Sequence, residues 1–274
     1  TLEDVAEDPD VVRETAAAAD RIRAGAERSP FGWAEAAPYR DRLAQAYVGK
    51  VGLDLFPNGM SWVAAGADRG FFLAQVHPAD DHALDEYREA RLRSGMRCLA
   101  AARGPAGRLS FWGDDPADRP VLEQDWSWRD WFNGTGNKPP GPGGHPVLTV
   151  PHISEPYLSK RSSAGVMLNL SIPIRRAAAG PRAAGGPAPG ETVGLVLGGI
   201  RLQDFTELVL DRLDDGHTAR DGRTADWVTL VNDRDQYVIH KDLTAAMTAR
   251  PDGSAVPAPF AAGLRRQALA DAQQ

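Results

Sequence analysis

The chain has 274 residues, 42% of them hydrophobic and 25% charged, and a formal net charge of −6. These values are ordinary for a globular protein of one large domain or two small ones, and the scattered Lys and Arg residues argue against a nucleic-acid binder, which carries a basic stripe. Cys98 is the single cysteine, so neither an intrachain disulfide nor a zinc site built from cysteines is available.

No stretch of the sequence has the length and apolar character of a membrane-spanning helix, which needs about 20 residues. The most apolar run, Thr192–Ile200, is only as long as a strand. The first residues also lack the basic and apolar regions of a signal peptide. We therefore expect a soluble piece of a longer protein, with any membrane anchor outside it.

The N-terminal region is predicted to be helical. Apolar residues recur three, four and seven apart between residues 2 and 28, which predicts one long helix that ends before Pro30 and Gly32. Its stripe is rich in alanine, so the helix should pack closely on a partner or a sheet. A second helix is predicted from Ala37 or Pro38 to about Leu53. The residues of the first stripe are Val5, Val12, Ala16, Ala19, Ile22 and Ala26.

A hairpin is predicted next, with strands Met60–Ala65 and Phe71–Val76 on either side of the turn Gly66–Gly70. The apolar spacing from Asp80 to about Ala102 predicts a helix, and Leu109–Trp112 predicts a further short strand.

The segment 125–134 is the most informative part of the chain, because three tryptophans, a phenylalanine and an arginine fall within ten residues. If the segment is extended, Arg129 and Trp131 share one face, and Trp128 points the other way, into the core. A guanidinium beside an indole suits a small carboxylate or another planar anion. The alternative is structural: the tryptophans fill the core, and Arg129–Asp130 is an ordinary surface pair.

The Gly- and Pro-rich stretch 134–144 that follows is predicted to be an irregular loop, and long loops of this kind usually bind, cover or link something. The two best strands are then 166–174 and 192–202, separated by the Ala/Gly/Pro-rich excursion 177–190. The remaining predicted elements are a helix at 203–213, a strand–turn–strand at 227–240 and a C-terminal helix at 258–274. Strands in hairpin-like pairs with flanking helices predict an α+β architecture with an antiparallel sheet.

Several motifs, in this order, resemble the signature segments of Cache sensor domains. They are Arg129–Phe132 (Arg-x-Trp-Tyr/Phe), Ile153–Tyr157 (ending in Pro-Tyr), Leu168–Ile174 (an apolar strand with Pro), Val193–Leu202 and the hairpin 228–240. The first helix is similar to the long N-terminal stalk helix of that family. The resemblance covers most of residues 1–245, and the first motif with its Pro-rich loop looks most like sensor regions on bacterial Ser/Thr protein kinases.

The resemblance implies a PAS-like sensory domain on the extracytoplasmic side of the inner membrane, which binds a small ligand and signals through a transmembrane helix. It implies that the domain itself is not an enzyme and holds no cofactor. The implied organisation is residues 1–55 as stalk and packing helices, 56–205 as the membrane-distal ligand-binding module, and 206–274 as an abbreviated or truncated membrane-proximal module.

The predicted ligand-binding residues are Arg129, Trp131, Phe132, His152, Tyr157, Ser159 and Gly199. Arg129 would bind the anionic group, aromatic rings would wall the pocket, and His152 would add a polar wall. Amino-acid-binding members of the family carry acids where this chain has Ser159 and Gly199. The resemblance therefore implies a carboxylate-type ligand without an obligatory α-amine.

Other readings remain open at this point. A carbohydrate-binding protein or hydrolase could use Asp125 and Asp130, or Asp114 and Asp115, beside sugar-stacking tryptophans. A ligand-free module could serve only for dimerisation, and a homodimer through the N-terminal helix is also expected of the sensor domain. His77–His82 lacks a third well-spaced ligand, so no metal is expected. The expected partner is a small anion, with neither nucleic acid nor direct membrane contact.

Overall fold

The computed structural model describes residues 1–25, 32–51, 56, 58–66, 68–78, 109–116, 119–137, 144–158, 166–176, 190–201, 230–231, 237–239, 247–249 and 255–257. Its helices are α1 (Leu2–Ala6), α2 (Pro9–Arg23), α3 (Ala37–Ala46) with a π-helical turn after it (Tyr47–Val51), α4 (Arg119–Leu122) and α5 (Asp130–Asn133). Its strands are β1 (Met60–Gly66), β2 (Arg69–Pro78), β3 (Leu109–Phe111), β4 (His152–Ile153), β5 (Tyr157–Leu158), β6 (Val166–Arg175), β7 (Thr192–Arg201), β8 (Leu230–Val231), β9 (Tyr237–Ile239), β10 (Met247–Ala249) and β11 (Ala255–Pro257). No helix among these residues is long and apolar enough to cross a membrane.

The chain divides into two compact units. One contains Thr1–Ser154 and Asn169–Gly199, and the other contains Glu155–Leu168 and Ile200–Gln274. The predicted domain boundaries at residues 55 and 205 stay predictions.

The first unit is built on an antiparallel sheet with the strand order β3-β2-β1-β7-β6-β4. β1 pairs with β2 on one side and with β7 on the other, and all the residues of β1 are buried. Helix α2 packs against β1, and α3 packs against β2. A sheet whose central strands are apolar throughout must be covered on both faces. The predicted α+β architecture and the predicted hairpin are both confirmed.

The prediction of one helix over residues 2–28 is wrong, because the helix is interrupted at Asp8. Pro9 is the first residue of α2, and the Asp8 side chain caps that helix by accepting hydrogen bonds from the N–H groups of Asp10 and Val11. Proline lacks an N–H and favours the first helical position, so it starts a new helix. The restart also shifts the buried stripe, which consists of Val11, Thr15, Ala18, Ala19 and Ile22.

Helix α2 lies unusually close to the sheet, as its alanine-rich stripe predicts. A Cβ on Gly66 would lie 2.7 Å from the Ala19 carbonyl oxygen, and one on Gly194 would lie 2.4 Å from Thr15 Cγ2. The buried Thr15 hydroxyl donates to the Val11 carbonyl and accepts a 2.8 Å hydrogen bond from the Trp62 indole N–H. The helix is thus fixed to β1 by close packing and by one buried polar contact.

One irregularity in the hairpin determines which side chains β2 presents. Trp62 pairs with Ala74, whereas Val63 pairs with Phe72, so Leu73 is an extra residue in β2. Such a bulge breaks the alternation of side chains along a strand. Phe72 and Gln75, three residues apart, consequently face the same side of the sheet.

In the second unit the structure describes short antiparallel strand pairs. β5 pairs with the first residues of β6, β8 with β9, and β10 with β11. The β8–β9 pair confirms that the two strands predicted within 227–240 are antiparallel neighbours, and the turn predicted at 232–235 lies outside the described residues. The helices predicted at 80–102, 203–213 and 258–274, and most of the excursion at 177–190, lie outside the described residues.

Candidate ligand-binding site

The segment around Arg129 is a tight helical turn, so the prediction that Arg129 and Trp131 lie on one strand face is wrong. Arg129 precedes α5 with an extended backbone (φ −77°, ψ 142°), and the N–H groups of Phe132 and Asn133 both donate to its carbonyl. The left-handed Gly134 (φ 68°) ends the turn. Tertiary hydrogen bonds decide this conformation, since a four-residue helix has little stability of its own.

The start of the segment is fixed to the first residues of β2. The Gly70 N–H donates to Asp125 Oδ1, and the Trp126 N–H donates to the Gly70 carbonyl. Gly70 also makes room for an aromatic ring, because a Cβ there would lie 2.2 Å from Phe132 Cε2. The glycine therefore lets the turn approach the strand closely.

The Arg129 side chain is buried between indoles, with a relative exposure of 2%. Its Cζ lies 4.2 Å from the ring centroid of Trp128 and 5.6 Å from that of Trp126. The prediction that Trp128 turns away from Arg129 is therefore wrong. Such a contact is worth up to about 2 kcal/mol when it is shielded from water. It also fixes the plane of the guanidinium.

The tryptophans of this segment belong to an aromatic cluster. Trp126, Trp128 and Trp131 are all buried, which confirms that they fill the core. Phe72 of β2 lies at the centre of the cluster, with ring centroids 5.6 Å from Trp126 and 5.5 Å from Trp131. None of the three indoles is an exposed platform on which a sugar could stack.

Asp130, which the sequence suggests is half of a surface pair, is instead buried and central to the turn. Its Oδ1 accepts a 2.6 Å hydrogen bond from the Gly136 N–H, and its Oδ2 lies 2.9 Å from His152 Nε2. The Asp130 N–H donates to Asn137 Oδ1. Asp130 therefore links the turn, the start of the following loop and β4, a role that the sequence does not reveal.

Further hydrogen bonds hold α5 against its neighbours. The Ser171 hydroxyl of β6 donates to the Trp131 carbonyl, and the Leu148 N–H donates to the Phe132 carbonyl. The Asn133 side chain donates to the Ser127 carbonyl and accepts from the Thr135 N–H. The main chain on both sides of the arginine is thus fixed by neighbouring segments.

The structure brings together four of the predicted site residues, namely Arg129, Trp131, Phe132 and His152. Gly199 lies on β7, where its N–H donates to the Gly59 carbonyl. Tyr157 lies on β5 in the second unit and is paired with Met167. Ser159 is outside the described residues.

No metal is expected at His77–His82, and residues 79–82 of this segment lie outside the described residues. His77 is buried, and its Nδ1 lies 2.7 Å from the Pro78 carbonyl oxygen. Among the described residues no group of three or more His, Cys, Asp or Glu side chains is arranged to hold a metal ion.

No protein-family model matches the chain, and no curated protein matches it. Among solved structures it is similar to the ligand-binding domain of the Pseudomonas fluorescens chemoreceptor CtaA in complex with L-serine. The two are 13% identical, and the match covers 88% of this chain and 74% of that chain with a TM-score of 0.27. A TM-score of this size does not establish a common fold.

Proposed function

We propose that this chain is the ligand-binding sensory part of a membrane-bound bacterial signal transducer, and that it binds a small carboxylate-type ligand at Arg129 without catalysing a reaction. The observation that carries the proposal is the buried guanidinium of Arg129, held 4.2 Å above the ring of Trp128. A planar guanidinium with a fixed orientation matches the two oxygens of a carboxylate.

The surroundings of Arg129 support binding by a preformed site. The turn is held by main-chain hydrogen bonds to Gly70 and by the contact of Asp130 with His152. Because these contacts lie within the chain itself, little ordering of the turn would accompany ligand binding.

The wider context of the proposal depends on the resemblance to Cache sensor domains. We propose an extracytoplasmic location, a transmembrane connection outside this chain and a Ser/Thr protein kinase as the output. The sheet supports a PAS-like module, since its first and last long strands, β1 and β7, lie side by side at the centre.

Thermal unfolding of the purified chain with a panel of carboxylic acids, amino acids and sugars tests the proposal. A ligand at about 100 times its Kd adds about 2.7 kcal/mol to the free energy of unfolding. We expect a carboxylate to stabilise the wild type but not Arg129→Gln. Arg13→Gln is the control, because the Arg13 side chain is 67% exposed, and it should be stabilised like the wild type.

Because Arg129 is buried, its glutamine variant could fail to fold, which far-UV circular dichroism would show. Arg129→Lys then serves instead, since it keeps the charge and loses the planar fork. A carboxylate that stabilises Arg129→Lys as much as the wild type would contradict the proposed site. A sugar that stabilises all variants equally would favour the carbohydrate-binding alternative, and no stabilisation by any compound would favour a structural module.

A further inference from the structure

A second candidate site lies in the first unit, in a cleft between α3, β2 and residues 112–123. The space within it is about 420 Å³, including its open mouth. Its walls carry two arginines, two tryptophans, one amide and one carboxylate: Arg40, Arg119, Trp33, Trp112, Gln75 and Glu123. None of these residues belongs to the motifs of the Arg129 site, and they come from three separate parts of the chain.

The two arginines lie against the same indole. The Cζ of Arg40 is 3.7 Å from the Trp33 ring centroid, and that of Arg119 is 5.3 Å from it. Arg40 Nη1 donates to the Trp33 carbonyl, and Arg119 Nε donates to the Gly113 carbonyl. A guanidinium has five N–H donors, so these bonds fix each group in place and leave further donors at the cleft.

Carboxylates lie near these two positive charges: Glu123 lines the same cleft, and Asp114 and Asp41 act on Arg40. Neither arginine forms a salt bridge with any residue in the described part of the chain. Burial is the main cause that lowers the pKa of Arg40; the carboxylates of Asp114 and Asp41 oppose it, and the charge of Arg119 lowers it further. Two guanidiniums close enough to affect one another make this cleft locally positive, although the chain as a whole has a net charge of −6.

The floor of the cleft offers an acceptor. The bulge at Leu73 turns Gln75 to the same side as Phe72, and both residues line the cleft. Within the described residues, Gln75 Oε1 is buried and has no hydrogen-bond partner. A buried oxygen without a partner is unfavourable, so a ligand that donates a hydrogen bond to it would gain affinity.

We propose that this cleft binds a small organic carboxylate that has an aromatic or apolar body and a hydrogen-bond donor. The carboxylate lies at Arg40 and Arg119, the body lies against Trp33 and Trp112, and the donor reaches Gln75 Oε1. The residues proposed to bind this ligand differ from those at Arg129, although the Phe72 ring contacts Trp112 of the cleft and Trp131 of the other site.

Isothermal titration with 4-hydroxybenzoate tests the proposal, because this probe has the charge, the ring and the donor. Benzoate lacks the donor, and 4-hydroxybenzyl alcohol lacks the charge. We expect 4-hydroxybenzoate to bind the wild type and Arg13→Gln equally. Arg119→Gln should weaken it about tenfold or more, as for loss of a charged hydrogen-bond partner.

Gln75→Leu provides a second, independent variant. It should weaken 4-hydroxybenzoate about fivefold and leave benzoate unchanged, because only the first probe has a donor for Oε1. The fivefold difference should persist in Arg129→Gln, in which the other site is removed.

Several results would overturn the proposal. One is that neither 4-hydroxybenzoate nor benzoate binds. Another is that 4-hydroxybenzyl alcohol binds as tightly as 4-hydroxybenzoate. A third is that Arg119→Gln binds 4-hydroxybenzoate with the same affinity as the wild type. Loss of 4-hydroxybenzoate binding in Arg129→Gln alone would place the probe at the Arg129 site and would support the proposed function while overturning this inference.

Discussion

Gly70→Ala is the substitution that should disturb the Arg129 turn most directly. The new Cβ would lie 2.2, 2.7 and 2.9 Å from three atoms of the Phe132 ring. That ring has no exposed surface, and the main chain of Phe132 is hydrogen bonded on both sides. Gly70 is equally constrained, since its N–H and carbonyl are bonded to Asp125 and Trp126. Neither side can move away without breaking hydrogen bonds.

The expected cost follows from these constraints. Overpacking a core by one methyl group destabilises a protein by about 1–3 kcal/mol. Because Gly70 and Phe132 are both held in place, we expect Gly70→Ala to lower the free energy of unfolding by about 3 kcal/mol. For a unit of this size the melting temperature should fall by about 6–12 °C. Phe132→Leu in the same chain should restore part of the loss, with a coupling of about 1 kcal/mol or more.

Urea unfolding followed by tryptophan fluorescence measures both effects, because the aromatic cluster reports on the first unit. Gly49→Ala is the matched control, since a Cβ there would meet no atom within 4 Å. If Gly70→Ala is as stable as Gly49→Ala, or if the effects of Gly70→Ala and Phe132→Leu simply add, the packing argument is refuted.

Thr15→Val should lower the free energy of unfolding by about 1–3 kcal/mol, because it leaves the buried Trp62 indole N–H without its acceptor. Thr15→Ser keeps the hydroxyl and should lower it less, and chemical denaturation of the two variants measures the difference. The Lys50 ammonium, which bonds to Asp8, is the main cause that lowers the pKa of that carboxyl. Its contribution to stability is therefore present above pH about 4 and lost as the pH falls through the lowered value. Asp8→Asn keeps the helix cap, so at pH 7 its free energy of unfolding should be about 0.5–1 kcal/mol below that of the wild type. This difference should shrink as the pH falls through the lowered pKa of Asp8, and a constant difference across a pH series of melting curves would contradict the assignment. Gly134→Ala should lower the free energy of unfolding by about 1 kcal/mol or more, because Gly134 has a left-handed φ of 68°. Calorimetry should show a lower melting temperature for this variant. Gly134→Asn should not melt above the wild type, because asparagine tolerates the left-handed region only partly.

The sheet could be predicted because its signals are local. The hairpin of β1 and β2 has two apolar runs around a glycine-rich turn, and β6 and β7 are long and apolar. These patterns need no information from distant residues. The break before Pro9 is also a local signal, and the periodicity on either side of it led to the wrong prediction of one continuous helix.

The candidate sites could be predicted less well because their geometry is set by tertiary contacts. The turn at Arg129 is folded by bonds to Gly70, Leu148 and Ser171, which come from three distant segments. Nothing in the spacing of Arg129 and Trp131 distinguishes such a turn from a strand. The cleft is harder still, since its arginines are 79 positions apart and its acceptor faces it only because of a bulge.

The interruption at Asp8 has a mechanical consequence. Helix α2 is fixed to β1 by the hydrogen bond between Thr15 and Trp62 and by the close packing of Ala19 on Gly66, so it should move together with the sheet. α2 begins directly after Asp8, whose backbone (φ −59°, ψ 123°) is not helical, so α1 and α2 do not form one continuous helix. α1 packs against the π-helical turn, and the ion pair between Asp8 and Lys50 joins the same turn to the break. A movement of α2 would therefore reach α1 through the hydrogen bond from the Asp8 N–H to the Val5 carbonyl and through the Lys50 ion pair, not along one continuous helix.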